Sequence, residues 1–301
     1  MIWNTLDGEP PLVIAHRGAS GLLPEHTLVA YALGLGQGAD VIEPDLVPTA
    51  DGMLIARHEP ALAHSTDIAS HAEFSARCRG EDWLSTDFSA KEIGRLRARQ
   101  PFEGRSRQHD GYHGVPSWPQ LLEWAAQAAL ERAQPIRLYP ELKHPAEFTA
   151  RGLDPVPLFL QSLQQLPSAV EIWVQCFEVE PLRRVHAATG LPCTLLLAQS
   201  DDWHAAVAAH GDWLHGLGVD KRLLWRAPER SSGLLEAAHA AGLRVHPWTY
   251  RDDRVGEGHT DVRNELAAAL RLGVDAVFCD FPATGVAVRE GLRRDARSVQ
   301  A

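Results

Sequence analysis

Residues 11–18 read Pro-Leu-Val-Ile-Ala-His-Arg-Gly, an apolar run that ends directly on His16 and Arg17. A second run, Val41-Ile-Glu43-Pro-Asp45-Leu46, closes on two carboxylates and leads into the turn signal Thr49-Ala-Asp51-Gly52 and a returning stretch, Met53 to His58. Short continuous apolar runs with polar last residues are the pattern of buried parallel strands whose C-terminal ends form a working face. Helical spacing from His26 to Gln37 lies between the two runs and completes a β-α-β unit.

The alternation continues along the chain. Strands are expected at Pro11 to Ala15, Val41 to Leu46, Ile136 to Leu142, Ile172 to Cys176, Thr194 to Leu197, Trp213 to Leu217, Leu243 to Trp248 and Ala276 to Asp280. Helices are expected at His26 to Gln37, Trp118 to Leu130, Pro155 to Leu166, Glu180 to Ala188, Asp202 to Ala209, Ser231 to Ala241, Asp261 to Leu272 and Pro282 to Arg294. Strands and helices in strict alternation, eight of each, predict an α/β fold of the (β/α)8 TIM-barrel type. A chain of 301 residues, 45% hydrophobic, suits one such domain over residues 1–301.

One connection breaks the rhythm. Val47 to Ser117 is far longer than an ordinary loop, and loops of that length inside a compact domain usually carry function. It reads as a hairpin after strand two followed by a small cap over about residues 60–117. A four-residue turn flanked by Pro48 and Met53 would set Asp45 opposite Ala56 and Glu43 opposite His58.

Lys+Arg 29 against Asp+Glu 39 gives a formal charge of −10, which argues against nucleic acid or an anionic membrane as the main partner. No stretch approaches the roughly eighteen consecutive apolar residues of a membrane span, and Met1 to Pro10 lacks a basic start with an apolar core. The expectation is a cytoplasmic protein without stable membrane association, or a periplasmic one if a leader has been removed. Cys78, Cys176, Cys193 and Cys279 form no C-x-x-C pair and are expected to be reduced and structural.

The polar residues at the strand ends converge on one rim, the face on which barrels of this type do chemistry. His16 and Arg17 end strand one, Glu43 and Asp45 strand two, Glu141 and Lys143 strand three, Gln175 strand four, Trp248 strand seven and Asp280 strand eight. Glu43 and Asp45 share a side of their strand because side chains alternate with period two, and Glu141 adds a third carboxylate. Three oxygen anions without a nearby cysteine suit one hard divalent cation, Ca²⁺ or Mg²⁺. His16 and His58 are the histidines whose position singles them out as proton carriers, and Arg17 offers bidentate recognition of phosphate oxygens. Most of the other histidines read as surface or loop residues; His246 reads as packing or pocket lining, and His144 is undecided. Glu25 reads equally as a helix-start acid or a site residue.

These residues resemble the glycerophosphodiester phosphodiesterases, particularly the branch that includes the bacterial periplasmic enzyme. The matching stretches are Ala15-His-Arg-Gly-Ala-Ser20, Pro24-Glu-His-Thr27, Gly38-Ala-Asp-Val-Ile-Glu-Pro-Asp-Leu46, Thr49-Ala-Asp-Gly52 and His58. Further along come Tyr139-Pro-Glu-Leu-Lys143, Val174-Gln-Cys-Phe177, Pro247-Trp-Thr249 and Gly273-Val-Asp-Ala-Val-Phe-Cys-Asp-Phe-Pro282. His26 and Glu59 stand where the broader family usually has Asn and Asp. The resemblance implies a barrel with a metal held at Glu43, Asp45 and Glu141, acid/base histidines at His16 and His58, and phosphate contacts from Arg17 and Lys143; Trp248, at the end of strand seven, is a further candidate substrate contact. It also implies a cap over a glycerol pocket. The expected reaction is metal-dependent hydrolysis of a small glycerophosphodiester to glycerol 3-phosphate and an alcohol. The alternatives are a lysophospholipid phosphodiesterase that forms a cyclic phosphate, and a barrel that binds a phosphodiester without turnover.

Overall fold

The first strand, Leu12–His16, buries Val13, Ile14 and Ala15 completely, as a strand covered on both faces must. In the computed structural model, which describes residues 3–227 and 230–298, it pairs in parallel with the second strand on one side and the last on the other. Strands two, three and four are each interrupted once. Val41–Glu43 gives way to Asp45–Pro48 at Pro44, Ile136–Leu138 to Glu141–Leu142 at Tyr139-Pro140, and Val170–Ile172 to Val174–Cys176 at Trp173. Proline has no N–H to give a ladder, which accounts for the first two breaks. The pairing resumes across the gaps, with the Tyr139 amide donating to the Ile42 carbonyl at 2.8 Å and the Gln175 amide to that of Pro140 at 3.0 Å.

Strands Cys193–Leu197, Gly216–Asp220, Arg244–Trp248 and Ala276–Cys279 complete the ring. The seam between the last two is closed by Asp275 N–H to the Val245 carbonyl at 3.0 Å and Tyr250 N–H to that of Phe278 at 2.8 Å. The barrel and its parallel order are as expected. The sixth strand, however, runs over Gly216–Asp220 and not Trp213 to Leu217. Its glycines hide it from an apolarity count and have a packing reason: a Cβ on Gly218 would lie 2.4 Å from Leu196 Cδ2, and one on Gly216 2.7 Å from the Arg244 carbonyl oxygen.

The hairpin after strand two forms, but its register is one residue from the expected one: Leu46, Val47 and Pro48 pair with Ala56, Ile55 and Leu54. Met53 belongs to the turn, where its carbonyl accepts from Thr49 N–H at 2.9 Å and its amide donates to Thr49 Oγ1 at 3.0 Å. Asp45 therefore faces Arg57, whose amide donates to the Asp45 carbonyl at 2.9 Å, and Glu43 is not opposite His58. Beyond the hairpin, short 3₁₀ helices at Ile68–Ser70, Ala72–Arg77 and Ser85–Asp87 and a short α-helix, Ala90–Ile93, surround a separate apolar cluster that includes Leu62, Phe74, Trp83, Phe88 and Leu96.

The first helix, Leu28–Gly36, starts after the expected His26 because Thr27 caps it, its hydroxyl accepting from Ala30 N–H at 3.2 Å, while His26 is left-handed at φ 57°. Inside the barrel Tyr139, Trp173, Phe278 and His246 stack against one another, so His246 packs, with Nδ1 3.1 Å from the Tyr139 hydroxyl. All four cysteines are free. Among the described residues no helix is long and apolar enough to cross a membrane.

Candidate active site

Parallel register brings the polar strand ends level. His16 is paired with Glu43, Asp45 with Glu141, and Glu141 with Gln175. The three acids are buried, and one carboxylate oxygen from each lies within 4.8 Å of the others. Burial, Asp45 and Glu141 push Glu43 well above the usual carboxylate range; burial pushes Glu141 up to about 8, Lys143 opposing and Asp45 adding to the shift. Asp45 is held well below that range against its own burial, by Lys143, His58, His26 and Arg17. Three carboxylates this close repel one another, and a cation among them would relieve that repulsion beyond what Lys143 and Arg17 supply. The oxygen donors fit a hard divalent cation such as Ca²⁺ or Mg²⁺, with no thiol or imidazole to favour zinc.

Each acid is also oriented from outside. Glu43 accepts the Arg17 backbone N–H at 2.9 Å and the Gln175 amide N–H at 3.1 Å. Asp45 Oδ2 accepts from His26 Nε2 at 2.9 Å, and His26 Nδ1 accepts from the Tyr31 hydroxyl at 2.9 Å. Glu141 lies 2.7 Å from Lys143 Nζ, which is 3.8 Å from Asp45 Oδ1. Arg17 turns through a left-handed backbone, φ 59°, and its guanidinium meets Glu25 at 2.7 Å and Asp45 at 3.3 Å. Glu25, despite its burial, is brought down to about 2 mainly by Arg17, so this acid belongs to the site's charge network and does not merely start a helix.

The two histidines are anchored alike. His16 Nδ1 lies 2.6 Å from Asp280 Oδ1, and His58 Nδ1 lies 2.6 Å from Glu59 Oε1. A carboxylate can only accept, so each neutral imidazole carries its proton on Nδ1 and leaves Nε2 as a free acceptor. Burial and then Arg17 bring His16 down to about 4 and lower His58, whose side chain remains 30% exposed. Arg57, bonded through its amide to the Asp45 carbonyl, brings the next residue, His58, to the same strand end despite the shifted hairpin register, where its charge bears on Asp45 and Glu25.

Thus His16, Arg17, Glu43, Asp45, His58, Glu141 and Lys143 share one rim. Trp248 stands further round, in register with Asp220, its ring edge-on to Phe177 at 5.9 Å. It reaches the cluster through Phe177, over which Lys143 Nζ lies at 5.9 Å. Sequence reading placed Gln175 and Asp280 on the rim without roles and missed Tyr31. His26 stood in a quoted motif, but its contact with Asp45 spans nineteen residues and left no local signal.

A closed barrel with acids, imidazoles and paired cations at the C-terminal ends of its strands defines an α/β-barrel enzyme acting on an anionic substrate. The Glycerophosphoryl diester phosphodiesterase family model matches residues 16–284, and the chain belongs to that family of phosphoric diester hydrolases. It is 28% identical to a glycerophosphodiester phosphodiesterase of Haemophilus influenzae over 96% of this chain and 93% of the relative. It is also 28% identical to one of Arabidopsis thaliana over 90% and 84%. In three dimensions it is similar to an Oleispira antarctica phosphodiesterase solved in complex with the product sn-glycerol-3-phosphate, with TM-score 0.69, 22% identity and coverage of 95% and 99%.

Proposed function

We propose that the rim hydrolyses small glycerophosphodiesters, such as glycerophosphocholine, to glycerol 3-phosphate and an alcohol, with Glu43, Asp45 and Glu141 holding one divalent cation. That cation, when bound, supplies Lewis-acid neutralisation of a phosphate oxygen. Arg17 and Lys143, already held beside the acids, balance charge that builds on the phosphoryl oxygens. One free Nε2 accepts a proton of the attacking water as its oxygen bonds to phosphorus. The P–O bond to the alcohol breaks, and the other imidazole, which takes up a proton from solvent at Nε2 once the anionic diester lies beside it, gives that proton to the leaving oxygen. Residues 60–117 close over the glycerol side, and Trp248 with Phe177 walls the opposite edge.

The observation that carries this reading is the pair of imidazoles, each fixed through Nδ1 to a carboxylate at 2.6 Å beside one buried acid triad. A barrel that only bound a phosphodiester would have no use for two oriented proton carriers. The test is a panel of glycerophosphodiesters and lysophospholipids assayed for glycerol 3-phosphate and for cyclic phosphate. Glycerol 3-phosphate from the soluble diesters supports the reading; cyclic phosphate from lysophospholipids alone replaces it with the lysophospholipid alternative.

A further inference from the structure

The segment that follows the hairpin does more than cover the rim. Arg105, with a side chain only 2% exposed, lies in this segment and reaches the far side of the barrel mouth. Its guanidinium donates to both oxygens of Asp253, at 2.6 and 3.1 Å, to Asp280 Oδ2 at 2.6 Å and to the Ser20 carbonyl at 3.3 Å. Its guanidinium carbon lies over the Phe102 ring, 4.2 Å from the ring centre. Asp280 is the residue whose other oxygen holds His16 Nδ1 at 2.6 Å. Arg251 Nε adds a further bond to Asp280 Oδ2 at 2.9 Å. Gln100, five residues before Arg105, donates to the Ser20 and Leu23 carbonyls at 3.0 and 3.3 Å, and the Ser20 hydroxyl donates to the His16 carbonyl at 2.8 Å.

We infer that Arg105 is a positioning residue for His16: through Asp280 it fixes the angle and tautomer of the imidazole, so that the inserted segment organises the proton carrier as well as enclosing the site. This rests on the acid/base role proposed for His16. The physical basis is the fork of the guanidinium. A planar donor that satisfies Asp253 and Asp280 together leaves Asp280 one orientation, with Oδ2 taken by Arg105 and Arg251 and Oδ1 free for His16 alone. An ammonium is a point charge and cannot hold both carboxylates in that geometry. Without the fork, Asp280 can turn, and a misplacement of about 1 Å is worth on the order of 100-fold in rate.

The test compares Arg105→Met and Arg105→Lys with the parent, using glycerol 3-phosphate release, thermal unfolding and long-range ¹H–¹⁵N spectra of the His16 ring. The expected result is a folded Arg105→Met protein with kcat lower by roughly 10- to 100-fold, KM within about twofold, and a His16 ring no longer held as the single Nδ1–H tautomer. Arg105→Lys should fall between it and the parent. Parental kcat in folded Arg105→Met, or a raised KM with kcat intact, overturns the proposal. If Arg105→Met does not fold, Asp253→Asn carries the test, with a smaller kcat loss at unchanged KM expected and no kcat loss contradicting it. Should the parent release no glycerol 3-phosphate from any diester, the proposed function fails, while the tautomer comparison still decides whether Arg105 positions His16.

Discussion

His26 Nε2 donates to Asp45 Oδ2 at 2.9 Å, both side chains fully enclosed, and the Tyr31 hydroxyl completes the chain by donating to His26 Nδ1. The imidazole is thereby fixed as the neutral Nε2–H form, in keeping with a pKa that burial lowers. Support of this kind behind a metal-ligating carboxylate is typically worth 10- to 100-fold in affinity. His26→Ala should weaken binding of Ca²⁺ or Mg²⁺ by roughly that factor in calorimetric titration, and Tyr31→Phe by less. Unchanged affinity in both variants would show that Asp45 needs no such support.

His16→Ala and His58→Ala should each lower turnover by roughly 10²- to 10⁴-fold with the fold intact. A diester with a nitrophenolate leaving group needs little protonation, so the loss should shrink for whichever histidine is the acid and persist for the base. Turnover within about threefold of the parent in both variants contradicts the acid/base pair.

Buried neutral histidines should make part of the protein's stability depend on pH. Burial brings His16 and His215 down to about 4 and His246 to about 3. As pH falls below the ordinary histidine value near 6.5 these groups take up protons in the unfolded chain but not in the fold, so their contribution to stability declines from about 6.5 toward 4, against the opposite contribution of Glu43 and Glu141, whose raised values favour the fold as pH falls. Denaturant unfolding of the parent and of His215→Gln at stepped pH isolates the histidine contribution: the stability of the parent relative to the variant should fall as pH drops from 7 to 5. A difference between the two proteins that stays constant from pH 7 to 5 would contradict the buried, neutral state of the His215 ring.

Gly18→Ala tests how tightly the loop after strand one is held. Gly18 has φ +82°, and a Cβ there would lie 2.5 Å from the Ala30 carbonyl carbon in the first helix. The added strain and clash should lower stability by at least ~2 kcal/mol, measured by chemical unfolding, with activity reduced because His16 and Arg17 flank the loop.

The barrel was legible because its strands are buried on both faces and write themselves as apolar runs, and the triad because Glu43, Asp45 and Glu141 end adjacent runs. The sixth strand was misplaced where Gly216 and Gly218 trade side chains for close contact with their neighbours. The hairpin register slipped because Thr49 draws Met53 into the turn, a side-chain to backbone preference that apolar patterning does not carry. What orients the site was least legible. Asp280 holds His16 from 264 residues away and Arg105 reaches Asp280 across 175, distances over which only the closed barrel brings them together.

The central claim is that a divalent cation among Glu43, Asp45 and Glu141 is required for hydrolysis of the phosphodiester. Release of glycerol 3-phosphate from glycerophosphocholine should be followed in protein treated with EDTA, and again after Ca²⁺ or Mg²⁺ is restored. Loss of release in chelator and its return with one of these ions is the predicted result. Undiminished release in excess chelator would contradict it.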